Sequence, residues 1–155
     1  MARPSEQAQE KGDDWLESYL PYHLYRASSL MNIRLQRQLR GVGVNLSQWR
    51  VLSVLQAYGR CSLSEIIDLT LMEQPTVSRV VASLEEDGMV ERRVSAGDSR
   101  VVEVALKPKG VSVIKEILPV AVRRQRAALD GLSDAELATF RRVLLRIEDN
   151  IARDL

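Results

Sequence analysis

Residues that build catalytic and metal sites are scarce in this chain of 155 residues. It contains a single cysteine, Cys61, and a single histidine, His23. One cysteine excludes an internal disulfide and fits a reducing cytoplasm, and a structural zinc site requires four Cys or His ligands. No GxSxG, HExxH or glycine-rich phosphate-binding motif is present. We therefore expect a protein that is not an enzyme and that binds neither a metal nor a cofactor.

Long hydrophobic runs are also missing, because no stretch approaches the roughly 20 apolar residues that a membrane helix requires. Residues 1–12 are polar and charged, lack the apolar segment of a secretion signal, and are expected to form a disordered tail. The composition, with 45% hydrophobic and 28% charged residues, is that of a soluble globular protein. These features predict a cytoplasmic protein with no membrane contact.

Helical and strand-like patterns follow one another in residues 62–106. A capping box opens one helix at the start of this stretch, and a second helix begins near Pro75 and ends at Gly88. Residues 90–94 and 102–106 then alternate in polarity, which is the strand period, with turn residues between them. This order predicts a winged helix-turn-helix, whose second helix enters the major groove of DNA.

The second helix of this module has an apolar side and a polar side. Four apolar residues at three- and four-residue spacing form the side that is expected to be buried. The polar side carries small or hydroxylated residues and one long hydrogen-bond donor, Arg79, so that it can approach base edges closely. Arg100, at the tip of the hairpin, is placed to enter a narrow minor groove. The predicted DNA-contacting residues of the helix are Gln74, Thr76, Ser78, Arg79 and Ser83.

The charge of this region does not favour a nucleic-acid partner. Residues 73–109 contain six Lys or Arg and seven Asp or Glu, and the formal net charge of the chain is +1. The DNA-binding prediction therefore depends on how charge is distributed over the faces of the module. Arg79 could instead be a surface charge that pairs with a nearby glutamate, and Arg92 could point inward to a partner such as Asp98. The alternative interpretation is a helical dimerisation module that acts through protein contacts without DNA binding.

Amphipathic helices are predicted on both sides of the winged module, which spans residues 45–107. An N-terminal region, residues 13–44, and a C-terminal region, residues 108–155, carry apolar residues at helical spacing. A two-fold homodimer built from both chain ends is the simplest way to bury these stripes, and it would present two reading helices to a pseudo-palindromic operator. The predicted fold class is mainly α with a small β-hairpin wing, flanked by N- and C-terminal dimerisation helices.

Five segments carry a resemblance to a known family: NLSQWRVLSVL (Asn45–Leu55), CSLSEIIDL (Cys61–Leu69), TVSRVVASLEEDGMVERR (Thr76–Arg93), DSRVVEVALKPKG (Asp98–Gly110) and GLSDAEL (Gly131–Leu137). In this order and at this spacing they resemble the MarR/SlyA family of transcriptional regulators over most of the chain. The resemblance implies a homodimer with two winged lobes and major-groove contacts from Thr76, Ser78 and Arg79. It also implies that Arg100 reaches the minor groove or its phosphates while Asp98 steadies the wing.

The resemblance further places an effector cleft between the dimerisation helices and the winged lobe, near Trp49. The first long helix offers His23 and Arg26 among aromatic residues, a combination that suits an aromatic acid or an acyl-CoA-like ligand. We therefore predict a repressor that a small aromatic effector releases from DNA. His23 could instead be an ordinary residue of the dimerisation helix, and a regulator that needs no ligand would have the same fold.

Cys61 allows two interpretations, because some members of this family sense peroxides through cysteine. Those cysteines lie near the start of the first long helix, whereas Cys61 precedes a capping box inside the winged module. No Lys or His stands next to it to lower its pKa. We expect a buried structural thiol rather than a redox sensor.

Overall fold

The computed structural model describes residues 15–154, so the expected disordered tail, residues 1–12, lies outside the described part of the chain. Within that part, helices dominate and three short strands form one small sheet. This confirms the predicted fold class of a mainly α protein with a small β wing. The elements are α1 (Trp15–Ser18), α2 (Leu20–Gly41), α3 (Leu46–Tyr58), β1 (Cys61–Ser62), α4 (Leu63–Thr70), α5 (Gln74–Glu86), β2 (Val90–Val94), β3 (Val102–Leu106), α6 (Pro108–Ala128) and α7 (Asp134–Asp154).

Local sequence signals set the starts and ends of the helices in the winged region. Asn45 and Gln48 form a reciprocal capping box at the start of α3, and Ser62 and Glu65 form the predicted one at the start of α4. These boxes satisfy backbone N–H groups that would otherwise lack partners. α5 has a proline in its first turn and ends before Gly88, whose φ of 70° is a conformation that glycine adopts without strain.

The wing is the hairpin of β2 and β3, which pair antiparallel over all five residues of each strand. A third strand, β1, pairs antiparallel with the other edge of β3, with Cys61 opposite Val104. The sequence predicted only two strands, because β1 has two residues and is too short to show alternation. Through β1, the start of the helix-turn-helix is joined to the wing.

The hydrophobic core lies in the winged lobe, where α3, α4, α5 and the sheet meet. The flanking helices also contribute to it, with Leu39 near the end of α2 and with Ile114 and Ile117 in the first half of α6. The start of α6 approaches the chain so closely that a Cβ on Gly110 would lie 2.3 Å from the carbonyl oxygen of Met89. The winged lobe and the first half of α6 therefore form one packed unit.

The terminal helices leave much apolar surface uncovered. α7 has no buried side chain among its described residues and packs extensively against no other element of the described chain. Its predicted apolar stripe is half-buried at Leu144 and exposed at Phe140 and Ile151. No helix in residues 15–154 combines the length and the apolar character that crossing a membrane requires. Exposed apolar patches such as the stripe of α7 mark interaction surfaces. Further large exposed apolar side chains are Tyr25, Leu30 and Ile33 on α2 and Leu118 and Val122 on α6.

Candidate nucleic-acid interface

α5 is the predicted reading helix, and its apolar side is buried as expected. The fully buried residues of this helix are Val77, Val81 and Leu84. Because they share one side, which packs on α3 and α4, the opposite side of α5 faces out of the lobe. Ser78 and Arg79 are exposed beyond that buried side, and Gln74 is exposed at the first residue of the helix.

Thr76 and Ser83 are placed differently, because both are only partly exposed. The hydroxyl oxygen of Ser83 accepts a hydrogen bond from Nε2 of Gln48 at 3.2 Å, so this side chain faces α3. Sequence reasoning missed Gln48 altogether. The spacing of Asn45 and Gln48 signals a capping box, but it gives no sign of a bond to a residue 35 positions away.

Arg79 makes no ion pair within the described residues, so the interpretation that it pairs with a nearby glutamate is wrong. Its Nε donates to the carbonyl oxygen of Pro75, one turn earlier in α5, at 3.2 Å. This bond leaves the two terminal nitrogens of the guanidinium without a protein partner in the described part of the chain. Those nitrogens form the planar fork that recognises base edges and phosphates.

Arg92 pairs with Glu85 rather than with Asp98, so the inward orientation considered for it is wrong. Glu85 Oε2 accepts a hydrogen bond from Nε of Arg92 at 2.7 Å, and Oε1 accepts one from the Arg92 backbone N–H at 3.1 Å. These bonds hold the pKa of the Glu85 carboxyl below its usual range. The pair forms because the last turn of α5 lies beside the start of β2. Arg93 is paired as well, with Glu91 at 2.8 Å.

A local turn around Asp98 holds the tip of the wing. Its Oδ1 accepts a hydrogen bond from the backbone N–H of Arg100 at 2.9 Å, and its carbonyl oxygen accepts one from Val101 at 3.0 Å. Asp side chains commonly stabilise turns by bonding the backbone two residues further on. Arg100 itself is exposed and forms no ion pair within residues 15–154. Asp98 thus shapes the wing, and the guanidinium of Arg100 is available to a partner.

The charge of this surface depends on which arginines already have partners. Arg92 and Arg93 are neutralised by glutamates, whereas Arg79 and Arg100 form no such pair in the described chain. The winged region therefore has two available guanidinium groups on its surface, although its positive and negative charges are nearly equal in number. Charge-assisted bonds from such groups are the strong contacts of base and phosphate recognition.

The three residues predicted to bind an effector differ in their exposure and surroundings. His23 is exposed, with Nε2 lying 2.6 Å from the carbonyl oxygen of Glu17. Arg26 is exposed, and Trp49 is half-buried against the core. An open groove of about 450 Å³ lies instead at the corner between α2 and α3, and it includes Arg40 but none of these three residues.

Cys61 is buried, as expected. Burial, and to a smaller extent the nearby carboxylate of Glu65, raises the pKa of its thiol. A raised pKa keeps the sulfur protonated and unreactive near neutral pH, which supports a structural role. In the part of the chain that the structure describes, no group of three or more His, Cys, Asp and Glu residues could hold a metal ion.

Comparisons with known proteins agree with this geometry. Residues 42–101 match the model of the MarR family. The fold superposes on a MarR family transcriptional regulator from Silicibacter pomeroyi with a TM-score of 0.83 and 30% identity, covering 95% of this chain and 97% of that one. It superposes on Bordetella bronchiseptica BpsR, whose DNA binding 6-hydroxynicotinic acid regulates, with a TM-score of 0.73 and 26% identity, covering 83% and 98% of the two chains.

A curated relative points the same way. The HTH-type transcriptional repressor IacR of Pseudomonas putida is 27% identical over 135 residues, covering 87% of this chain and 81% of that protein. The winged fold described above agrees with the fold of the similar solved structures. This chain belongs to the MarR family and is a DNA-binding transcriptional regulator.

Proposed function

We propose that this protein is a homodimeric repressor that reads a pseudo-palindromic operator through α5 and the wing. One observation carries the proposal: Arg79 and Arg100, alone among the arginines of α5 and the wing, form no ion pair within the described residues. Each lies where a winged helix-turn-helix meets DNA, Arg79 on the outer face of the reading helix and Arg100 at the wing tip. Gln74, Thr76 and Ser78 complete the contacts proposed for α5.

The apolar surface of α7 supports the homodimer. Within the described residues no side chain of this 21-residue helix is fully buried, although the helix is strongly amphipathic. A two-fold dimer brings the same patch of both protomers together and needs no second kind of partner. Its two α5 helices would then meet half-sites about one turn of DNA apart, roughly 10 bp centre to centre.

Repression is proposed from the relative IacR, which is a repressor in Pseudomonas putida. The direct test is a gel shift with labelled intergenic DNA taken from beside the gene for this protein. We expect a shifted complex that excess unlabelled intergenic DNA removes, while unrelated DNA competes at least about a thousandfold more weakly. Equal competition by both DNAs would refute sequence-specific binding. No shift at any protein concentration would favour the alternative of a module that acts through protein contacts.

Replacing the wing-tip arginine, Arg100→Ala, is expected to weaken binding to operator and to unrelated DNA alike. Each lost phosphate contact should make the slope of log affinity against log salt shallower by about 0.9, or by roughly 2 for a dimer. Arg93→Ala is the matched control, because Arg93 is already paired with Glu91. Anisotropy titrations at several salt concentrations measure both slopes. Equal slopes with a loss that depends on minor-groove width would instead indicate that Arg100 inserts without a phosphate contact. Unchanged affinity for DNA with A·T-rich and with G·C-rich flanks would show that the wing does not take part in binding.

An aromatic carboxylate is the effector that we propose to release the protein from DNA. BpsR is regulated by 6-hydroxynicotinic acid, itself an aromatic acid. His23 and Arg26 are exposed on α2 and could meet the ring and the anionic group, and we propose that Trp49 belongs to the same site. Release requires the ligand to prefer a spacing of the lobes that does not fit the operator. A hundredfold loss of DNA affinity corresponds to about 2.7 kcal/mol of coupling, within the usual allosteric range.

A panel of benzoates, hydroxynicotinates, hydroxycinnamates and their CoA esters, titrated into the protein–operator complex, tests this proposal. We expect at least one compound to dissociate the complex, and Arg26→Ala or His23→Ala to raise the concentration that it requires. Arg37→Ala is the control, because Arg37 is also an exposed arginine of α2. Failure of every compound would argue against an aromatic effector. A compound whose action neither substitution alters would place the site elsewhere.

A further inference from the structure

The side chain of Gln48 joins the start of α3 to the last turn of α5. It is only 6% exposed, less than any other polar or charged residue among residues 15–153. Its Oε1 accepts a hydrogen bond from the backbone N–H of Asn45 at 2.9 Å and so closes the capping box of α3. Its Nε2 donates to the hydroxyl oxygen of Ser83 on α5 at 3.2 Å. One amide therefore serves two helices at once.

A buried amide restricts how the two helices can pack. An amide without hydrogen bonds inside a protein costs free energy, so this side chain is stable only where both of its partners are in reach. The apolar contacts of Val77, Val81 and Leu84 favour burial of one side of α5, but such contacts are not directional. The bond to Ser83 is directional, and it selects one rotation of α5 about its axis.

The rotation of α5 matters for base recognition. A helix with its side chains is about 10–12 Å across, so a rotation of about 20° moves an outward side chain by roughly 2 Å. Hydrogen bonds to bases require donor–acceptor distances within a range of about 0.5 Å. Arg79 lies four residues before Ser83 on the same helix, so a bond at Ser83 fixes where the guanidinium meets the groove.

We propose that Gln48 is a positioning residue for DNA recognition, which fixes the rotation of α5 through Ser83 without touching DNA. The inference rests on the proposed reading of bases by α5. It also gives Ser83 a different role from the direct DNA contact that its place on the helix predicted. Because Gln48 is buried, any change in base preference on its replacement must act through the helices that it joins.

The experiment measures anisotropy with full-length protein, an operator duplex, the operator with one base pair changed in each half-site, and unrelated DNA. Gln48→Met keeps the shape of the side chain and removes both hydrogen bonds. We expect roughly a 3- to 10-fold loss of operator affinity with reduced discrimination against the changed operator. Affinity for unrelated DNA, which reports the folded lobe, should not change.

Variants at the other end of the bond separate positioning from direct contact. Ser83→Ala leaves the capping box intact and should lower discrimination like Gln48→Met, and the double variant should be no worse than the stronger single one. Ser83→Thr keeps the hydroxyl and should keep the discrimination. Asn45→Ala weakens the cap of α3 but leaves the bond to Ser83, so it should lower the melting temperature without changing base preference.

Three results would overturn the proposal. Gln48→Met could leave discrimination unchanged while Ser83→Ala lowers it, which would make Ser83 a direct DNA contact. Asn45→Ala could lower discrimination as much as Gln48→Met does. The loss of discrimination would then be explained by general destabilisation of the lobe. If Gln48→Met does not fold, the proposal is tested by comparing the base discrimination of Ser83→Ala with that of Ser83→Thr. Equal discrimination by these two variants counts against the proposal. Unchanged base preference in Arg79→Ala would instead show that the proposed reading by α5 has failed.

Discussion

Replacing Ile147 with glutamate is expected to dissociate the proposed dimer into monomers at micromolar concentration. Ile147 lies in the middle of the apolar stripe of α7, where it is half-buried, and no side chain of this helix is fully buried within the described residues. A two-fold interface contains each substitution twice, and an unpaired buried carboxylate costs several kcal/mol. We expect the dimer dissociation constant to rise by at least about a hundredfold, which is about 2.7 kcal/mol. Light scattering during size-exclusion chromatography measures the change.

A control substitution and a truncated chain complete this test. Ala138→Glu adds the same charge to the polar side of α7, and it should leave the protein dimeric. A chain that ends at Asp130 removes α7 alone and should give a folded monomeric lobe, because the core does not include α7. Ending the chain at Lys109 would also remove Ile114 and Ile117 from the core. Loss of the dimer could then not be distinguished from destabilisation of the folded lobe. A dimeric Ile147→Glu protein would refute the proposed role of the stripe.

Gly110→Ala, at the start of α6, is expected to destabilise the protein strongly. The added Cβ would lie 2.3 Å from the carbonyl oxygen of Met89, which is a backbone atom and cannot rotate away. The clash falls at the junction where Lys109 Nζ donates to the carbonyl oxygen of Asp87 at 2.7 Å and the Lys107 N–H donates to that of Met89. Separating α6 from the end of α5 should cost about 3 kcal/mol or more, at the upper end of overpacking effects.

Gly41→Ala is the matched control for this substitution. Gly41 is the last residue of α2, and a Cβ there would meet no atom within 4 Å. Alanine favours the helix over glycine, so this change should be neutral or stabilise by up to about 1 kcal/mol. Denaturant unfolding of both variants at one protein concentration compares them, because the stability of the proposed dimer would depend on concentration. Similar midpoints for the two variants would show that the junction is not tightly packed.

The winged lobe could be predicted from the sequence because its signals are local. The capping box of Ser62 and Glu65, the helix end at Gly88 and the alternation of the two long strands each lie within a few residues. The burial of one side of α5 followed from helical spacing alone. Each of these features depends on backbone geometry that a short segment determines by itself.

Side-chain pairing across the fold could not be predicted in the same way. Arg92 pairs with Glu85 because β2 starts beside the end of α5, and nothing within either segment specifies that neighbour. The bond from Gln48 to Ser83 joins residues 35 positions apart. These two pairings decide which side chains of the winged region are available to DNA. Arg92 has a partner and Ser83 faces inward, so the hydrogen-bond donors left for DNA are fewer than the sequence indicates.

Selection of bound sequences from a pool of randomised duplex DNA tests the central claim, that α5 reads bases in a two-fold arrangement. For the unchanged protein we expect enrichment of a pseudo-palindrome with half-sites roughly 10 bp apart centre to centre. Arg79→Ala should lose preference at one position in each half-site and cost on the order of 1–3 kcal/mol of operator affinity, while the rest of the motif is kept. An unchanged motif with Arg79→Ala, or no enriched motif with the unchanged protein, would contradict it.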